Sequence, residues 1–365
     1  MAGTRKIGIV TAGGDCPGMN AVVRAVAKTA MLDLGFEVVG VEDGFEGLVS
    51  SRWHALTYED VSGIVTLGGT ILGTSNTVDP YAYARKRGTS IEHTDESRTV
   101  LNNIEAMGIE CLVCVGGDGS LTVANRLSHN GAPIVGVPKT IDNDVAGTDV
   151  SVGFDTAASI ATEAIDRVHT SAQSHHRVMI VEVMGRNAGW LALYSGVAGG
   201  GDIIILPEMP YDIDTLVGRV KERSQKGKRF TIVVISEGAK SAQGELVIRR
   251  MVKESADPVR LGGVSFGLAD TIEELTAIET RALVLGHLLR GGSPSSGDRV
   301  LATRLGSRAI DLVAGHRFGY MVGVRANDMI EVPLDEVAER QRTVPPDHPL
   351  IKAARSVGTC FGDRV

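Results

Sequence analysis

One local pattern recurs along the chain: a strand-like apolar run, a turn rich in glycine and polar residues, and then a helix-like run. Lys6–Ala12 leads through Gly13–Gly18 into Met19–Asp33. Cys111–Val115 leads in the same way into the turn Gly116–Ser120. Strands that alternate with helices throughout a chain predict parallel sheets covered by helices, with ligand sites at the carboxyl ends of the strands. We therefore expect an α/β fold.

The length and charge of the chain exclude several classes of protein. A chain of 365 residues is longer than one hydrophobic core usually serves, so we expect two lobes. The formal net charge of −7 argues against a general nucleic-acid binder. No apolar run approaches the roughly 20 residues that a membrane helix needs. We expect a cytoplasmic protein with no nucleic-acid or membrane partner, in which an anionic substrate needs a local basic cluster.

The cysteines predict neither disulfides nor a zinc site. Four cysteines are too few for a disulfide framework in a chain of this length. Cys111 and Cys114 lie three residues apart on a predicted strand, so they should face opposite sides of the sheet. No second cysteine pair or histidine pair completes a zinc site. We expect buried strand thiols.

The stretch Gly136–Val145 concentrates reactive side chains directly after an apolar run. Asp142 and Asp144 lie two residues apart, so both can point into one pocket, where proximity and burial raise a carboxylate pKa toward that of a base. A carboxylate pair also suits a Mg²⁺ ion that phosphates carry. An Asp-Asn-Asp turn with no catalytic role explains the same residues equally well.

The two glycine turns are candidate phosphate cradles, because each exposes backbone N–H groups at the start of a helix. Neither matches a Walker loop or a dinucleotide fingerprint, and a turn such as Gly13–Gly18, taken by itself, is more often a tight strand-to-helix connection than a ligand site. Asp118 follows the second turn, where its carboxylate can reach a metal bound to phosphates. Its alternative role is that of a helix N-cap.

Other segments carry secondary-structure predictions. Val178–Val183 and Phe230–Ile235 read as buried strands, and Glu237 follows the second of them. The basic run Arg85–Arg87 is interpreted as the solvated face of a helix, and Tyr320–Arg325 as the last strand of the chain.

Five motifs together resemble the 6-phosphofructokinase family, in family order from Gly13 to about Gly306. Each motif alone is weak evidence, but five in sequence are very hard to obtain by chance. They are Gly-Gly-Asp-Cys-Pro-Gly-Met-Asn at 13–20, Gly-Gly-Asp-Gly-Ser at 116–120, Pro-Lys-Thr-Ile-Asp-Asn-Asp at 138–144, Glu-Val-Met-Gly-Arg at 182–186 and Leu-Gly-His-Leu-Leu-Arg-Gly-Gly-Ser-Pro at 285–294.

The resemblance implies the phosphofructokinase fold, an α/β fold of two lobes in which each lobe is a mainly parallel sheet wound by helices. Residues 1–152 and 289–335 would form a nucleotide- and magnesium-binding lobe, and residues 153–288 and 336–365 a sugar-phosphate-binding lobe. Such an enzyme uses ATP, with Mg²⁺ on the donor phosphates, to phosphorylate the 1-hydroxyl of fructose 6-phosphate in glycolysis. This reaction needs alignment, charge neutralisation and a positioned base.

The family's catalytic and nucleotide-binding residues carry over to matching positions. Asp142 would be the base that takes the hydroxyl proton, and Thr140 would contact the transferring group. Asp118 would bind Mg²⁺, with Asp144 as a partner outside the direct ligands. The nucleotide would lie along Gly14, Gly117, Asp118, Gly119 and Ser120.

The resemblance also implies a basic binding set for the sugar phosphate, in which Arg186 takes part in catalysis as well. Arginine forks suit a phosphate dianion better than lysines do, although surface ion pairs explain any one of these arginines alone. Arg177 and Arg281 would reach in from a neighbouring subunit, which implies a homodimer or homotetramer. The full set is Thr140, Ile141, Asp142, Arg177, Met184, Gly185, Arg186, Glu237, Arg281, His287, Leu288, Leu289 and Arg290.

Two positions of the resemblance disagree about the phosphoryl donor. ATP users in the family often have glycine at the position of Lys139, whereas pyrophosphate users resemble this chain there. Pyrophosphate users usually carry aspartate at the position of Gly119, where a side chain would obstruct the nucleotide. Gly119 outweighs Lys139, since a lysine can serve either donor. The mixture, together with Asn187–Trp190, resembles a lineage of ATP enzymes that otherwise look like pyrophosphate enzymes.

A second departure lies after Gly73, where the family usually has an arginine that bridges the donor and acceptor phosphates. This chain has Thr74–Thr77 there, with Asn76 where a cation is expected. Losing one stabilising group from a transition state can cost several kcal/mol, and Lys139 is the candidate replacement.

Three alternatives stay open at this point. The first is a pyrophosphate-dependent phosphotransferase that acts on fructose 6-phosphate or sedoheptulose 7-phosphate. The second is a non-catalytic sugar-phosphate-binding paralogue, which Asn76 allows but the intact Asp142 argues against. The third is the nicotinamide- or lipid-kinase group, which does not account for the motifs at 182–186 and 285–294.

Overall fold

A computed structural model describes residues 5–88, 90–242, 244, 248–251 and 259–363. The chain divides into two compact units. Of the described residues, unit 1 comprises those up to Thr156 and Arg290–Arg342, and unit 2 comprises those from Ala157 to Met251, Val259–Leu289 and those from Thr343 onward. Which ligand each unit binds remains a prediction.

Strands and helices alternate along the described chain, as the recurring pattern predicts. The strands are β1 (Lys6–Thr11), β2 (Glu37–Val41), β3 (Trp53–Leu56), β4 (Tyr83–Arg87), β5 (Ser90–Thr94), β6 (Cys111–Gly116), β7 (Ile134–Pro138), β8 (Val178–Val183), β9 (Ile203–Ile205), β10 (Thr231–Ser236), β11 (Ile248–Met251), β12 (Val259–Leu261), β13 (Thr280–Val284), β14 (Tyr320–Arg325) and β15 (Asp328–Pro333). The helices are α1 (Met19–Leu34), α2 (Phe45–Ser50), α3 (Ser97–Met107), α4 (Asp118–His129), α5 (Phe154–His175), α6 (Trp190–Ala198), α7 (Ile213–Gln225), α8 (Val264–Thr276), α9 (Ser296–Ala314), α10 (Leu334–Val337) and α11 (Pro349–Ser356). Short 3₁₀ turns cover Ile64–Thr66, Pro80–Ala82 and Gly286–Arg290.

Unit 1 is built on a seven-stranded sheet in the order β15-β14-β7-β6-β1-β2-β3. The central strands from β14 to β2 are parallel, and an antiparallel strand flanks them at each edge. Parallel strands put their carboxyl ends at one edge of the sheet, so the turns that follow β1, β6 and β7 are neighbours. These turns carry both glycine motifs and the Asp142 loop.

The core of unit 1 lies on both faces of this sheet, because its strands are apolar on both sides. Helices α1 and α9 cover one face, and α3 and α4 contribute to the other. Cys111 belongs to the first core and Cys114 to the second, and both thiols are free and fully buried. The prediction that these cysteines face opposite sides is therefore confirmed, as strand periodicity requires.

Unit 2 contains a four-stranded parallel sheet in the order β13-β8-β10-β9. Its strands are runs of valine and isoleucine, which is typical of strands buried on both faces. Helices α7 and α8 pack on one face. The carboxyl ends of β8 and β10 lie side by side, because Val183 pairs with Ser236.

Two secondary-structure predictions are wrong. Arg85 and its neighbours lie on β4, which pairs with β5, and Arg85 forms an ion pair with Glu96 at 2.7 Å. A basic run on an edge strand has the same composition as a basic helix face, so charge alone does not separate the two. The strand Tyr320–Arg325 is followed by β15, which closes a hairpin with it. Every helix that the structure describes is too short or too polar to span a bilayer.

Candidate active site

The Asp142 loop in unit 1 is held in place by its own polar side chains. Asn143 adopts a left-handed backbone conformation with φ 53°, and its Oδ1 accepts a hydrogen bond from the Ser151 amide at 3.0 Å. The Ser151 hydroxyl donates to the Thr140 carbonyl at 2.8 Å, and the Asp142 amide donates to Thr140 Oγ1 at 3.1 Å. Turn chemistry therefore occupies Asn143, and not the two aspartates on either side of it.

The carboxylates of Asp142 and Asp144 are only partly satisfied. Oδ1 of each is buried and accepts no hydrogen bond from any residue that the structure describes. Burial raises the pKa of Asp142, and the nearby Asp118 adds to this, while the positive charges of Arg290 and Lys139 oppose it. Burial raises the pKa of Asp144 further, with repulsion from Asp142 and Asp118. A buried acceptor without a donor is costly, so the loop is arranged for a ligand rather than for stability.

Lys139 and Arg290 converge on the first glycine turn. Lys139 is only 2% exposed, and its Nζ donates to the Gly14 carbonyl at 2.6 Å. Arg290 Nη1 donates to the Asp15 carbonyl at 3.0 Å and would lie 2.8 Å from a Cβ added at Gly14. Burial lowers the pKa of Lys139. Both cations therefore lie beside this turn, and the positive charge of each lowers the pKa of the Asp142 carboxylate.

The segment that lacks the expected arginine also touches this turn. Thr74 donates through its hydroxyl to the Gly13 carbonyl at 2.7 Å, and the Gly13 amide donates to the Ser75 carbonyl at 3.0 Å. Asn76 follows these contacts and is exposed. An arginine at this position would therefore stand next to the glycine turn, as the family pattern implies.

The second glycine turn starts helix α4 without a side-chain cap. Its N-cap residue is Gly117, so the interpretation of Asp118 as the N-cap is wrong. The Asp118 carboxylate instead accepts a hydrogen bond from Gln341 Nε2 at 2.7 Å. Ser120 is buried beneath the two turns, 9% exposed. The uncapped N–H groups and the helix dipole favour an anion here.

Gly119 leaves open space above the start of α4. It is exposed, and a Cβ added there would meet no described atom within 4 Å. Its φ lies outside the left-handed range, so a larger residue would fit without backbone strain. The fold therefore does not require glycine at this position, and the space beside it is open to a ligand.

The residues around Asp118 fit a Mg²⁺ ion that arrives on phosphates. Among the described residues, no group of three or more His, Cys, Asp or Glu side chains is arranged to hold a metal ion by itself. Mg²⁺ commonly uses one or two carboxylates and completes its coordination with substrate phosphates and water. One oxygen of Asp118 and the unpartnered oxygens of the Asp142 loop match that donor set.

In unit 2, the carboxyl ends of β8 and β10 bring together part of the predicted sugar-phosphate set. Gly185 has φ 130°, and its carbonyl accepts hydrogen bonds from the Ser236 hydroxyl and from the Gly238 amide. The Glu237 amide donates to the Val183 carbonyl at 2.9 Å. The half-buried side chain of Arg186 and that of Glu237 therefore rise from adjacent strand ends.

Further members of the predicted set follow β13, which is parallel to β8, and they differ in exposure. His287 and Leu288 follow the carboxyl end of β13 and are exposed, whereas Leu289 is fully buried. Arg290 belongs to unit 1. The set therefore mixes surface residues such as His287 with buried ones such as Ile141 and Leu289.

Arg177 and Arg281 lie at the opposite edge of that sheet. Arg177 precedes β8, and Arg281 is the second residue of the neighbouring β13. Both pair with Glu279, at 3.3 Å and 2.8 Å. Six residues of β8 span about 20 Å, so within one chain these arginines are far from Arg186.

A family model described as phosphofructokinase matches residues 6–313. The chain belongs to the phosphofructokinase family. The ATP-dependent 6-phosphofructokinase 2 of Clostridium perfringens is 48% identical over 361 residues, which cover 98% of this chain and 99% of that protein. The ATP-dependent 6-phosphofructokinase of Spirochaeta thermophila is 47% identical over 362 residues, which cover 99% of each.

The fold agrees with solved phosphofructokinases as well. The Pichia pastoris phosphofructokinase in the T-state superposes with a TM-score of 0.78 and 33% identity over 92% of this chain. The match spans 36% of that longer chain. The α/β fold with mainly parallel sheets is thus the phosphofructokinase fold.

Sequence reasoning missed two residues that contact the loop and turn of this phosphofructokinase. Gln341 bonds to Asp118, and Arg342 Nη1 donates to the Asn143 carbonyl at 3.1 Å. Both lie about 200 positions from their partners, after the last motif, and nothing in their local pattern distinguishes them from surface polar residues.

Proposed function

We propose that this phosphofructokinase transfers the terminal phosphoryl group of ATP to the 1-hydroxyl of fructose 6-phosphate, giving fructose 1,6-bisphosphate and ADP. The observation that carries the proposal is the buried Oδ1 of Asp142, which has no hydrogen-bond partner among the described residues and lies beside two glycine turns. The near full-length relatives named as ATP-dependent 6-phosphofructokinases support the same reaction.

Asp142 is the base in this proposal. A carboxylate whose pKa is raised binds a proton more strongly than an ordinary one, yet the positive charges of Arg290 and Lys139 favour its ionised form. Its Oδ1 accepts the proton of the sugar hydroxyl, and the hydroxyl oxygen attacks the terminal phosphorus. The bond between that phosphorus and the bridging oxygen breaks, and ADP leaves. Thr140 Oγ1 accepts a hydrogen bond from the Asp142 amide and so helps to hold the base in place. The same residue contacts the transferring group in this proposal.

Asp118 is the proposed ligand for Mg²⁺ on the donor phosphates, with Asp144 nearby. When bound, Mg²⁺ supplies positive charge that neutralises those phosphates. The N-terminus of α4 and the backbone of Gly14 and Gly117 supply N–H groups to the same anions. These groups position the donor without taking part in proton transfer.

The sugar phosphate binds to the remaining set in this proposal, and Arg186 supplies it with a guanidinium group. Met184, Gly185, Glu237 and His287 accompany it at strand ends of unit 2. Because Arg177 and Arg281 lie about 20 Å away in the same sheet, they serve the phosphate of a second copy of the chain. This separation supports our proposal of a homodimer or homotetramer with shared sites, and sedimentation of the purified protein tests the assembly.

ATP is the donor that the space above Gly119 favours. Pyrophosphate is the second candidate because Lys139 resembles the pyrophosphate users. The Lys139 ammonium is buried against the Gly14 carbonyl, where it can act on either donor. It also supplies positive charge beside Asp142, in the region where Asn76 replaces the usual arginine.

A direct assay tests the reaction and its donor together. Fructose 6-phosphate and Mg²⁺ are incubated with ATP or with pyrophosphate at equal concentration, and fructose 1,6-bisphosphate is measured. We expect product with ATP. Product with pyrophosphate alone would reverse the donor assignment, sedoheptulose 7-phosphate as the better acceptor would change the substrate, and no product from any pair would support a non-catalytic paralogue.

Gly119→Asp should weaken ATP use selectively. The added carboxylate enters the open space above α4 and repels the donor phosphates, so we expect the KM for ATP to rise by about 10-fold or more. The matched control is Gly218→Asp on the exposed side of α7, where an added Cβ also meets no described atom within 4 Å. An unchanged KM for ATP in Gly119→Asp would remove Gly119 from the nucleotide site.

A further inference from the structure

The segment 338–342, which follows α10, runs along the Asp142 loop in unit 1. Gln341 forms an antiparallel bridge with Val145, and the Arg342 amide donates to the Asp144 carbonyl at 2.7 Å. The Glu339 amide donates to Thr122 Oγ1 on α4 at 3.0 Å. Backbone hydrogen bonds therefore tie this segment both to the loop that carries Asp142 and to the helix that begins at Asp118.

Side chains of the same segment reach the two groups that the reaction needs. Gln341 Nε2 donates to Asp118 Oδ2 at 2.7 Å, and Arg342 Nη1 donates to the carbonyl of Asn143, next to Asp142, at 3.1 Å. One five-residue segment thus contacts the proposed metal ligand and the loop of the proposed base. We propose that Gln341 is a positioning residue that orients the Asp118 carboxylate for the Mg²⁺ carried by the nucleotide, an inference that rests on the proposed function.

The chemistry of a glutamine amide suits this role. The amide donates to one carboxylate oxygen and fixes its orientation, which leaves the other oxygen for a metal ion. Because the amide is neutral, it does not repel a divalent cation, as a lysine or arginine at the same place would. Groups that hydrogen-bond a metal ligand commonly change metal affinity or activity by 10- to 100-fold when they are removed.

Stability alone does not explain the contact between Gln341 and Asp118. Gln341 is exposed and Asp118 is only half-buried. A hydrogen bond between such accessible groups competes with water and adds little to the free energy of folding. Removing the Gln341 amide should therefore leave the Tm nearly unchanged, which separates orientation of Asp118 from a structural role.

Gln341→Met tests the proposal because it keeps the length of the side chain and removes the donor. Arg340→Met, at the exposed neighbouring position, is the matched control. The affinity of Mn²⁺, used as the probe for Mg²⁺, is measured by electron paramagnetic resonance on the full-length protein with ADP. We expect a fall of about 10-fold in Gln341→Met, and the same shift in the Mg²⁺ concentration for half-maximal turnover. The KM for fructose 6-phosphate and the Tm should stay as in the control.

A double-mutant cycle with Asp118→Asn sharpens the test. If Gln341 acts through Asp118, Gln341→Met should lower Mn²⁺ affinity no further in the Asp118→Asn background. Equal Mn²⁺ affinity in wild type and Gln341→Met, or an equal loss in both backgrounds, would overturn the proposal. Failure of the proposed function is distinguishable, because the wild-type protein itself would then neither bind Mn²⁺ with ADP nor phosphorylate fructose 6-phosphate.

Discussion

The two predicted halves of the site are organised differently. In unit 1, Asp142 lies in a loop fixed by Asn143 and Ser151, and its carboxylate has a buried oxygen without a described partner. In unit 2, the arginines are half-buried or exposed, and Arg177 and Arg281 pair with Glu279 at the far edge of their sheet from Arg186. The loop therefore gathers its carboxylates in one place, whereas the predicted arginine set of unit 2 is divided between two edges of its sheet.

The two halves therefore present their charged groups to a ligand in different ways. The loop keeps its carboxylates in a buried place, where fixed hydrogen bonds hold the geometry and the pKa values are raised. Arg177 and Arg281 hold their charges in ion pairs with Glu279, which a phosphate dianion can replace. We therefore expect substitutions in the loop to change turnover, and substitutions among the arginines to change affinity.

The largest expected effect is that of Asp142→Asn. The amide cannot take the proton of the hydroxyl, so kcat should fall by about two to four orders of magnitude while affinity for fructose 6-phosphate is kept. Steady-state kinetics and equilibrium binding measure the two quantities, and Asp166→Asn on the exposed side of α5 is the control. Near-normal turnover would remove Asp142 from the role of base.

A smaller effect, on the affinity for fructose 6-phosphate rather than on turnover, is expected for Arg186→Ala. Loss of charge-assisted hydrogen bonds to a phosphate should raise the KM for fructose 6-phosphate by about 10- to 150-fold. Arg186→Lys should recover only part of it, because an ammonium lacks the planar fork. The control is Arg167→Ala, an exposed arginine paired with Glu163. An unchanged KM beside a large fall in kcat would give Arg186 a purely catalytic role and weaken the contrast between the halves.

The smallest expected effect is on the free energy of unfolding. It tests whether burial and repulsion between carboxylates destabilise the loop at neutral pH. The native pKa of Asp144 is raised, so its carboxyl contributes stability below the unfolded pKa of about 3.9, and this is lost as pH rises through the native pKa. Asp144→Asn should therefore be more stable than wild type at neutral pH, by on the order of 1–3 kcal/mol, with a smaller gain toward pH 4.5. Urea unfolding at several pH values measures it, and a gain independent of pH would contradict the assignment.

Sequence patterns predicted the fold and the unit 1 loop because both depend on local periodicity and on strand ends. The strand Val178–Val183 has the predicted bounds, and the turns after β1, β6 and β7 meet as parallel strands require. The contacts of Gln341, the burial of Lys139 and the strand at Arg85 were not predictable. Each depends on which distant segment packs beside a residue, and a local pattern carries no information about that.

The most direct test of the contrast uses hybrids of two defective variants, Asp142→Asn and Arg281→Ala, co-expressed with different tags and purified through both. Activity is measured at fructose 6-phosphate concentrations well below the wild-type KM, where each parent should be slow. If sites are shared between copies, some hybrid sites combine an intact Asp142 with an intact Arg281, and turnover should clearly exceed the average of the parents. Turnover equal to that average would contradict the account, because Arg281 would then serve its own chain or no site at all.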